Sequence, residues 1–373
     1  MTTKKFFIYT ACLLAMIAML PSYRNLPESK LQGTVTAKSA LIKTIGNYTF
    51  RDLNKNGKLD IYEDARQPVE LRIKDLLKQM TIEEKAGMMF YSPVRVNKDG
   101  TIEEKPAKDL LSSISPVGIN EIDKHKITHF NLFSVPAPDT LAIWYNRMQQ
   151  FEEKTRLGIP LTIASDPRNQ GTGGFFSKSA KTFSLWPDPL GLAAIGDEKI
   201  TGQFADISRQ EYLAVGIRQA LHPQVDLATE PSWPRISGTF GEDAALSSRM
   251  TIAYIKGYQG EKVGPNSVAM MTKHFPGGGP QKEGLDPHFE FQKGVNDALR
   301  TAFIQKNINA VHEAIQKGVK IKGYYVWSMF DNLEWIMGYS RRFGITYVDF
   351  KTQERYPKQS YLWYQSFLKE QKK

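Results

Sequence analysis

Apolar residues fall along this chain in two periods. Short apolar runs lie at residues 127–133, 159–164, 219–227 and 268–271, each about as long as a buried strand. Between them the spacing turns helical, at residues 141–155 and 199–215. Strand-like and helix-like stretches in alternation predict βαβ units and a parallel sheet. Upstream, residues 68–80 read as a helix with Leu71, Leu76 and Leu77 on one side. Thr81 follows, with Glu84 three residues later, a capping box that opens the next helix. Downstream, Leu299, Phe303, Ile308, Val311 and Ile315 predict an amphipathic helix over residues 297–317, stopped at Gly318. Residues 319–327 then read as a strand.

Composition adds bounds. The chain has 373 residues, 41% hydrophobic and 24% charged, a globular profile long enough for one large α/β barrel or two smaller domains. The net charge of +10 arises from 49 Lys and Arg scattered among 39 acids. The densest basic run is the tail Lys369-Glu370-Gln371-Lys372-Lys373, so the pattern is a basic but ordinary surface, with no nucleic-acid partner expected. Residues 1–20 carry Lys4 and Lys5 and then an uncharged apolar stretch, the form of a signal peptide and too short for a comfortable membrane span. A polar linker over residues 21–47 follows. Tyr9 occupies the place where a lipoprotein box has an aliphatic residue before Cys12. The expectation is therefore a secreted or periplasmic chain without lipid. Cleavage downstream leaves no cysteine, so stability must come from the core.

Residues 52–63 match the twelve-residue EF-hand calcium loop. Asp52, Asn54, Asn56, Asp60 and Glu63 supply side-chain oxygens at positions 1, 3, 5, 9 and 12. Lys58 supplies its backbone carbonyl, and Gly57 permits the sharp turn. The expected cofactor is one structural Ca²⁺; none is expected for catalysis.

Three polar clusters directly follow predicted strands: Ser165-Asp166-Pro167-Arg168-Asn169, the stretch from Asp226 to Pro234-Arg235, and Lys273-His274-Phe275-Pro276-Gly277. Catalytic and binding groups of β/α barrels sit at the C-terminal ends of strands. A carboxylate accepts protons from two adjacent hydroxyls, and Lys, Arg and His donate on the same rim. Over residues 48–293 these motifs resemble the family-3 β-glucosidases, whose Lys-His-Phe-x-Gly strand end matches residues 273–277. Glu230-Pro231 with Pro234-Arg235, and Gly238 to Asp243 after them, match that family's arginine-bearing loop. The resemblance implies that Asp166, Arg235, Lys273 and His274 hold the hydroxyls of a glucose-like ring. Trp186 and Trp233 are read either as sugar platforms or as packing.

From about residue 295 to 369 the chain is similar to a different family. Trp327-Ser328-Met329-Phe330-Asp331-Asn332-Leu333-Glu334-Trp335, followed by Gly338 to Gly344, resembles the sugar-binding end of the family-1 glycoside hydrolases. That resemblance implies that Trp327 lies under the ring, Glu334 takes hydroxyls and Trp335 lines the same subsite. The two resemblances together imply an α/β fold, a (β/α) barrel of glycosidase type, incomplete or irregular at the joint. Residues 48–293 form the first part and residues 294–373 the second.

Neither family's nucleophile motif is present. The family-3 Ser/Thr-Asp-Trp segment is absent, and so are the family-1 Asn-Glu-Pro and Thr-Glu-Asn-Gly strings; Thr229-Glu230-Pro231 is a superficial echo. The expected function is a β-glucosidase-like glycoside hydrolase acting on β-glucosides or oligosaccharides, with its catalytic residues unassigned. The alternatives are a sugar-binding remnant without turnover and a non-functional fusion.

Overall fold

A computed structural model describes residues 42–105, 117–133, 135–170, 183–275, 278–280, 282–286, 297–316, 321, 323–333 and 339–371. The expected signal peptide and most of the polar linker lie outside them. In chain order, a hairpin of β1 (Ile42–Ile45) and β2 (Tyr48–Arg51) leads through a loop to α1 (Val69–Gln79) and α2 (Ile82–Gly87). Then come β3 (Tyr91–Val94), α3 (Gly118–His125), β4 (His129–Leu132), α4 (Pro138–Glu152), β5 (Thr162–Ser165), α5 (Pro189–Ile195), α6 (Glu198–Ala214), β6 (Ile217–Ala220), α7 (Ala244–Gln259) and β7 (Ala269–Met270). The C-terminal part holds α8 (Asp297–Gln316), β8 (Thr346–Val348), β9 (Arg355–Pro357) and α9 (Gln359–Glu370).

β3 to β7 form one parallel sheet in sequential order. Each strand reaches its neighbour through a helical connection, the topology that the alternation of periods predicts. Ser92 pairs with Phe130, Phe130 with Ile163, Ala164 with Gln219, and Ala220 with Met270. β3 and β7 are the two edges, and no pairing between them closes a barrel among the described residues. Phe130, Ile163, Ala164, Ile217 and Ala220 are buried with 0–1% exposure. Leu141, Trp144 and Met148 of α4 and Phe204, Tyr212, Tyr254 and Tyr258 of α6 and α7 pack into the same core. Removing this apolar area from water supplies the main driving force for the fold.

Two readings of the sequence need correction, and one strand, β3, is not among its expectations. β3 carries no apolar run of its own, because Pro93 interrupts it; a proline survives there because β3 is an edge strand. The described part of residues 319–327 is not a strand. Tyr325 and Trp327 are 78% and 61% exposed, and a strand without a partner for its ladder has nothing to hold it extended. In α8 the buried positions are Ile304 and Asn307, while Phe303 and Ile315 are about half exposed. α1 forms as expected, yet none of its residues is buried, and Val69, Leu71, Ile73 and Leu77 face outward among the described residues.

The cap of α2 matches the sequence. Thr81 Oγ1 accepts from Glu84 N at 3.2 Å, and Glu84 Oε2 accepts from Thr81 N at 2.9 Å. Thr81→Ala is expected to cost about 1 kcal/mol of stability, the usual value of an N-cap hydroxyl. Urea denaturation checks it, with the midpoint moving and the slope unchanged.

The C-terminal part closes on a buried acid of its own. Asp331, 3% exposed, accepts from Gly344 N at 2.9 Å, Lys358 Nζ at 3.0 Å and Arg342 Nη1 at 3.4 Å. Arg300 of α8 donates to the carbonyls of Trp327, at 2.7 Å, and of Phe343. Burial, with a smaller contribution from Tyr325, pushes the Tyr91 pKa up to about 12. No helix of the described residues is long and apolar enough to cross a membrane.

Candidate functional site

Asp166 follows the last residue of β5, where the backbone leaves the sheet and the side chain faces the strand-end rim. Its Oδ1 accepts from Lys273 Nζ at 2.6 Å. Its Oδ2 accepts from Asn131 Nδ2, near the end of β4, at 3.2 Å. The Lys273 and Asp166 side chains are 29% and 21% exposed, so the pair faces an opening rather than the core. Burial alone raises a carboxyl pKa, but the Lys273 ammonium, helped by Asn131 and Arg168, holds Asp166 down at about 2.

Behind the pair the supports are buried. Arg168, 3% exposed, donates through Nε to Ser165 Oγ at 2.6 Å and through Nη2 to Leu132 O at 2.5 Å. It thereby ties the turn after β5 to the end of β4. The Tyr212 hydroxyl donates to the Asp166 carbonyl at 3.1 Å. Tyr212 and Tyr254 also bracket His222, at 3.2 and 2.8 Å from its two ring nitrogens. Burial drives the His222 pKa down to about 3, so it is neutral at pH 7.

The rim continues along the segments that leave β6 and β7. His274 Nδ1 donates to Asp226 Oδ2 at 2.9 Å. Asp226 is fully buried and takes two further donors, Gly278 N and, at 3.0 Å, Gly279 N. That bond places the proton of the neutral His274 ring on Nδ1 and leaves Nε2 as an acceptor. Burial lowers the His274 pKa, Asp226 opposes the shift, and the nearby Arg235 and Lys273 cations add to it. Arg235 Nη2 donates to Gln224 Oε1 at 3.1 Å, and Gln224 forms a parallel bridge to Lys273. Asp166, Lys273, His274 and Arg235 are thus gathered on one rim.

The remaining sequence-derived positions fare differently. Trp327 is on the surface, and the described residues of the strand expected to carry it are irregular. Glu334 and Trp335 lie outside the described residues. Trp233 is 2% exposed and donates to Asp286 Oδ2 at 2.8 Å; it packs rather than offering a face. Trp186 leans on Phe204 with ring centres 5.4 Å apart and donates to Ser184 Oγ. The loop residues Asp52, Asn54, Asn56, Lys58, Asp60 and Glu63 stand apart from this rim, beside α1 and the turn before β5. Sequence reasoning missed three supports: Asn131, which sits inside an apolar run, Arg168, and Asp226 as the anchor of His274. For Arg168 and Asp226 the available signal was their membership of the strand-end clusters.

Sign and pH follow from Asp166. Its folded-state pKa of about 2 lies below the ordinary 3.8, so the pair adds stability that is fully present above about pH 4 and is lost as pH falls toward 2. Asp166→Asn is expected to flatten the stability profile in that window and leave its shape at neutral pH unchanged. Urea midpoints measured across the acid range check this.

The model of the glycosyl hydrolase family 3 N terminal domain matches residues 82–321. The chain belongs to glycosyl hydrolase family 3. The glycosyl hydrolase family 1 model matches residues 282–373, so a family-1 segment follows the family-3 portion and the two matches overlap at residues 282–321. Beta-glucosidase C of Emericella nidulans is 47% identical over 282 residues, 74% of this chain and 43% of that protein. The periplasmic beta-glucosidase/beta-xylosidase of Dickeya chrysanthemi is 42% identical over 287 residues, 74% of this chain and 42% of that protein. The bifunctional beta-D-glucosidase/beta-D-fucosidase of Bifidobacterium breve is 46% identical over 76 residues, 20% of this chain and 16% of its own. The family-3 chain therefore spans under half the length of the family-3 relatives it matches. Its rim residues Asp166, Arg235, Lys273 and His274 all lie within the family-3 match.

Proposed function

We propose that this chain is a β-glucosidase-like member of family 3 that retains the binding of a glucose-like ring and lacks a competent pair of catalytic carboxylates. The observation that carries the reading is the Asp166–Lys273 pair on the strand-end rim, with Asn131, Arg235 and His274 around it. An ionised carboxylate flanked by donors suits adjacent sugar hydroxyls, which give protons to the carboxylate and accept from the ammonium and guanidinium. His274, held by Asp226, adds an acceptor nitrogen at the same rim. The names of the relatives support a β-glucoside or oligosaccharide as the ligand. The division into a family-3 part over residues 48–293 and a family-1 part over 294–373, and export of the chain, belong to the same proposal.

Among the described residues, several acids of the strand-end segments are engaged in hydrogen bonds. Asp166 is held by Lys273, Asp226 by His274, Glu230 by Ser232 and Asp286 by Trp233. Glycoside hydrolysis requires two carboxylates about 5–5.5 Å or 6.5–9.5 Å apart, and the reading that this chain lacks them rests on the absence of both families' nucleophile strings from its sequence. Calorimetric titration with methyl β-D-glucoside tests the binding half of the proposal. Saturable single-site heat is expected, and its absence from a cooperatively melting preparation overturns the reading.

A further inference from the structure

The loop over residues 52–63 takes no part in the rim, and its geometry is organised around a different centre. Asp52 is 2% exposed. Its Oδ2 accepts from Gly57 N at 2.9 Å, so the carboxylate faces the inside of the loop. Its Oδ1 is shut off from solvent with no hydrogen-bond partner. A buried carboxylate oxygen without a donor is costly, and a cation is one of the few things that relieve it. Gly57 turns the loop with φ +76°, a conformation that side chains resist.

The other oxygen-bearing side chains converge from the far end of the loop. Glu63, 7% exposed, folds back so that Oε1 accepts from Leu53 N at 2.6 Å and Oε2 from Asp60 N at 3.1 Å. Asp60 Oδ2 receives the side-chain amides of Asn54 at 2.6 Å and Asn56 at 2.7 Å. As they stand, these groups satisfy one another, and no three acidic or His/Cys side chains of the described residues are grouped at ligand distance. A half-turn of each Asn amide about Cβ–Cγ exchanges its NH₂ for its oxygen, at the expense of the bonds that Asn54 Oδ1 accepts from Asn56 N at 3.1 Å and Asn56 Oδ1 from Lys58 N at 2.7 Å. A divalent ion then takes over from the two amides as the partner of Asp60. The lysines do not compete for the centre. Lys55 reaches outward to the carbonyls of Leu53 and Thr155, and Lys58 is exposed.

We propose that residues 52–63 bind one Ca²⁺, and that the ion clasps the N-terminal hairpin to the turn between α4 and β5. Three acids and two amide oxygens plus the Lys58 carbonyl form an all-oxygen set of the size and flexibility that Ca²⁺ takes and Mg²⁺ does not. The contacts that make the clasp are already present. Tyr62 Oη donates to Leu157 O at 3.4 Å, and Arg51 pairs with Glu153 at 3.0 Å. A Cβ at Gly158 would lie 2.9 Å from Leu53 O, so loop and turn touch backbone to backbone. On the other side, Tyr62 N donates to Asp75 Oδ2 of α1 at 3.0 Å. The turn leads into β5 and so to Asp166, yet the ion contributes to stability only, because no ligand of the loop reaches the rim.

The proposal is independent of the sugar reading, and its test does not use activity. Terbium, a luminescent stand-in for Ca²⁺, is titrated into the full chain and excited through tyrosine, with Tyr62 next to Glu63 as the sensitiser. Saturable single-site emission, displaced by Ca²⁺ and not by equimolar Mg²⁺, is expected. Emission is expected to be lost in Glu63→Gln and in Asp52→Asn. Because either variant can fail to fold, wild type is also melted with chelator and with Ca²⁺. The melting temperature is expected to rise with Ca²⁺, since the ion binds the folded state. Cleavage by trypsin at Lys55 and Lys58 is expected to slow in parallel. Absence of saturable emission, equal displacement by Mg²⁺, emission unchanged in folded Glu63→Gln, or a melting temperature unmoved by chelator each overturns the proposal.

Discussion

Purified and folded, the chain is expected to hydrolyse an aryl β-glucoside no faster than a protein-free control. The reason lies in the chemistry of the acetal. Its cleavage passes through an oxocarbenium-like state that needs one carboxylic acid at the leaving oxygen and one carboxylate at the anomeric carbon. Hydrolases that supply both accelerate reactions by about a millionfold or more, so the loss of such a pair would be a large effect to look for. The rim of this chain offers Asp166 already ionised and paired with Lys273, and Asp226 buried beneath His274. Asp166 is also bonded to Asn131, and Asp226 to two backbone amides, as suits groups that hold a ligand or a neighbour. A dinitrophenyl glucoside is the discriminating substrate, because its leaving group needs little acid assistance and reports mainly on the nucleophile. Glu230→Gln and Glu334→Gln are the paired controls, since a carboxylate repositioned at the joint is the route by which activity survives. Robust wild-type turnover, abolished by either substitution while methyl glucoside still binds, would show that the chain has a nucleophile after all.

The second large effect concerns binding. Asp166→Ala is expected to weaken methyl β-D-glucoside by about 1–3 kcal/mol, the cost of removing a partly buried partner from hydroxyls and from an ammonium at once. That is about a 5- to 150-fold rise in the dissociation constant. Lys273→Met is expected to fall in the same range, and the double variant to cost less than the sum, because each single change leaves the other charge unpaired. Calorimetry on variants that melt cooperatively measures both. Wild-type affinity in Asp166→Ala removes this rim as the sugar site. Glu334→Ala weakens the same ligand only if the family-1 tail reaches the rim, so it reports separately on the tail.

Local pattern carried much of this protein. The runs at residues 127–133, 159–164 and 268–271 enclose or overlap β4, β5 and β7, and residues 219–227 overlap the end of β6. For β4 and β5 the apolar run reflects the burial on both faces that a central parallel strand needs, whereas β7 is an edge with Ala269 exposed. The capping box of Thr81 and Glu84 was equally legible, because both partners lie within one turn of chain. The strand-end position of Asp166 and Lys273 followed from strands and clusters alone. What sequence could not decide is held by contacts between distant segments. Asp166 and Lys273 meet across 107 residues, a consequence of the strand order and register of β5, β6 and β7. Asn131 joins them because β4 pairs in register beside β5, although its apolar neighbours hide it. Pro93 sits in β3 because that strand is an edge, and residues 323–327 are irregular with no strand among the described residues paired to them. Period and spacing along the chain specify an element, while pairing partners and burial exist only once the chain has folded.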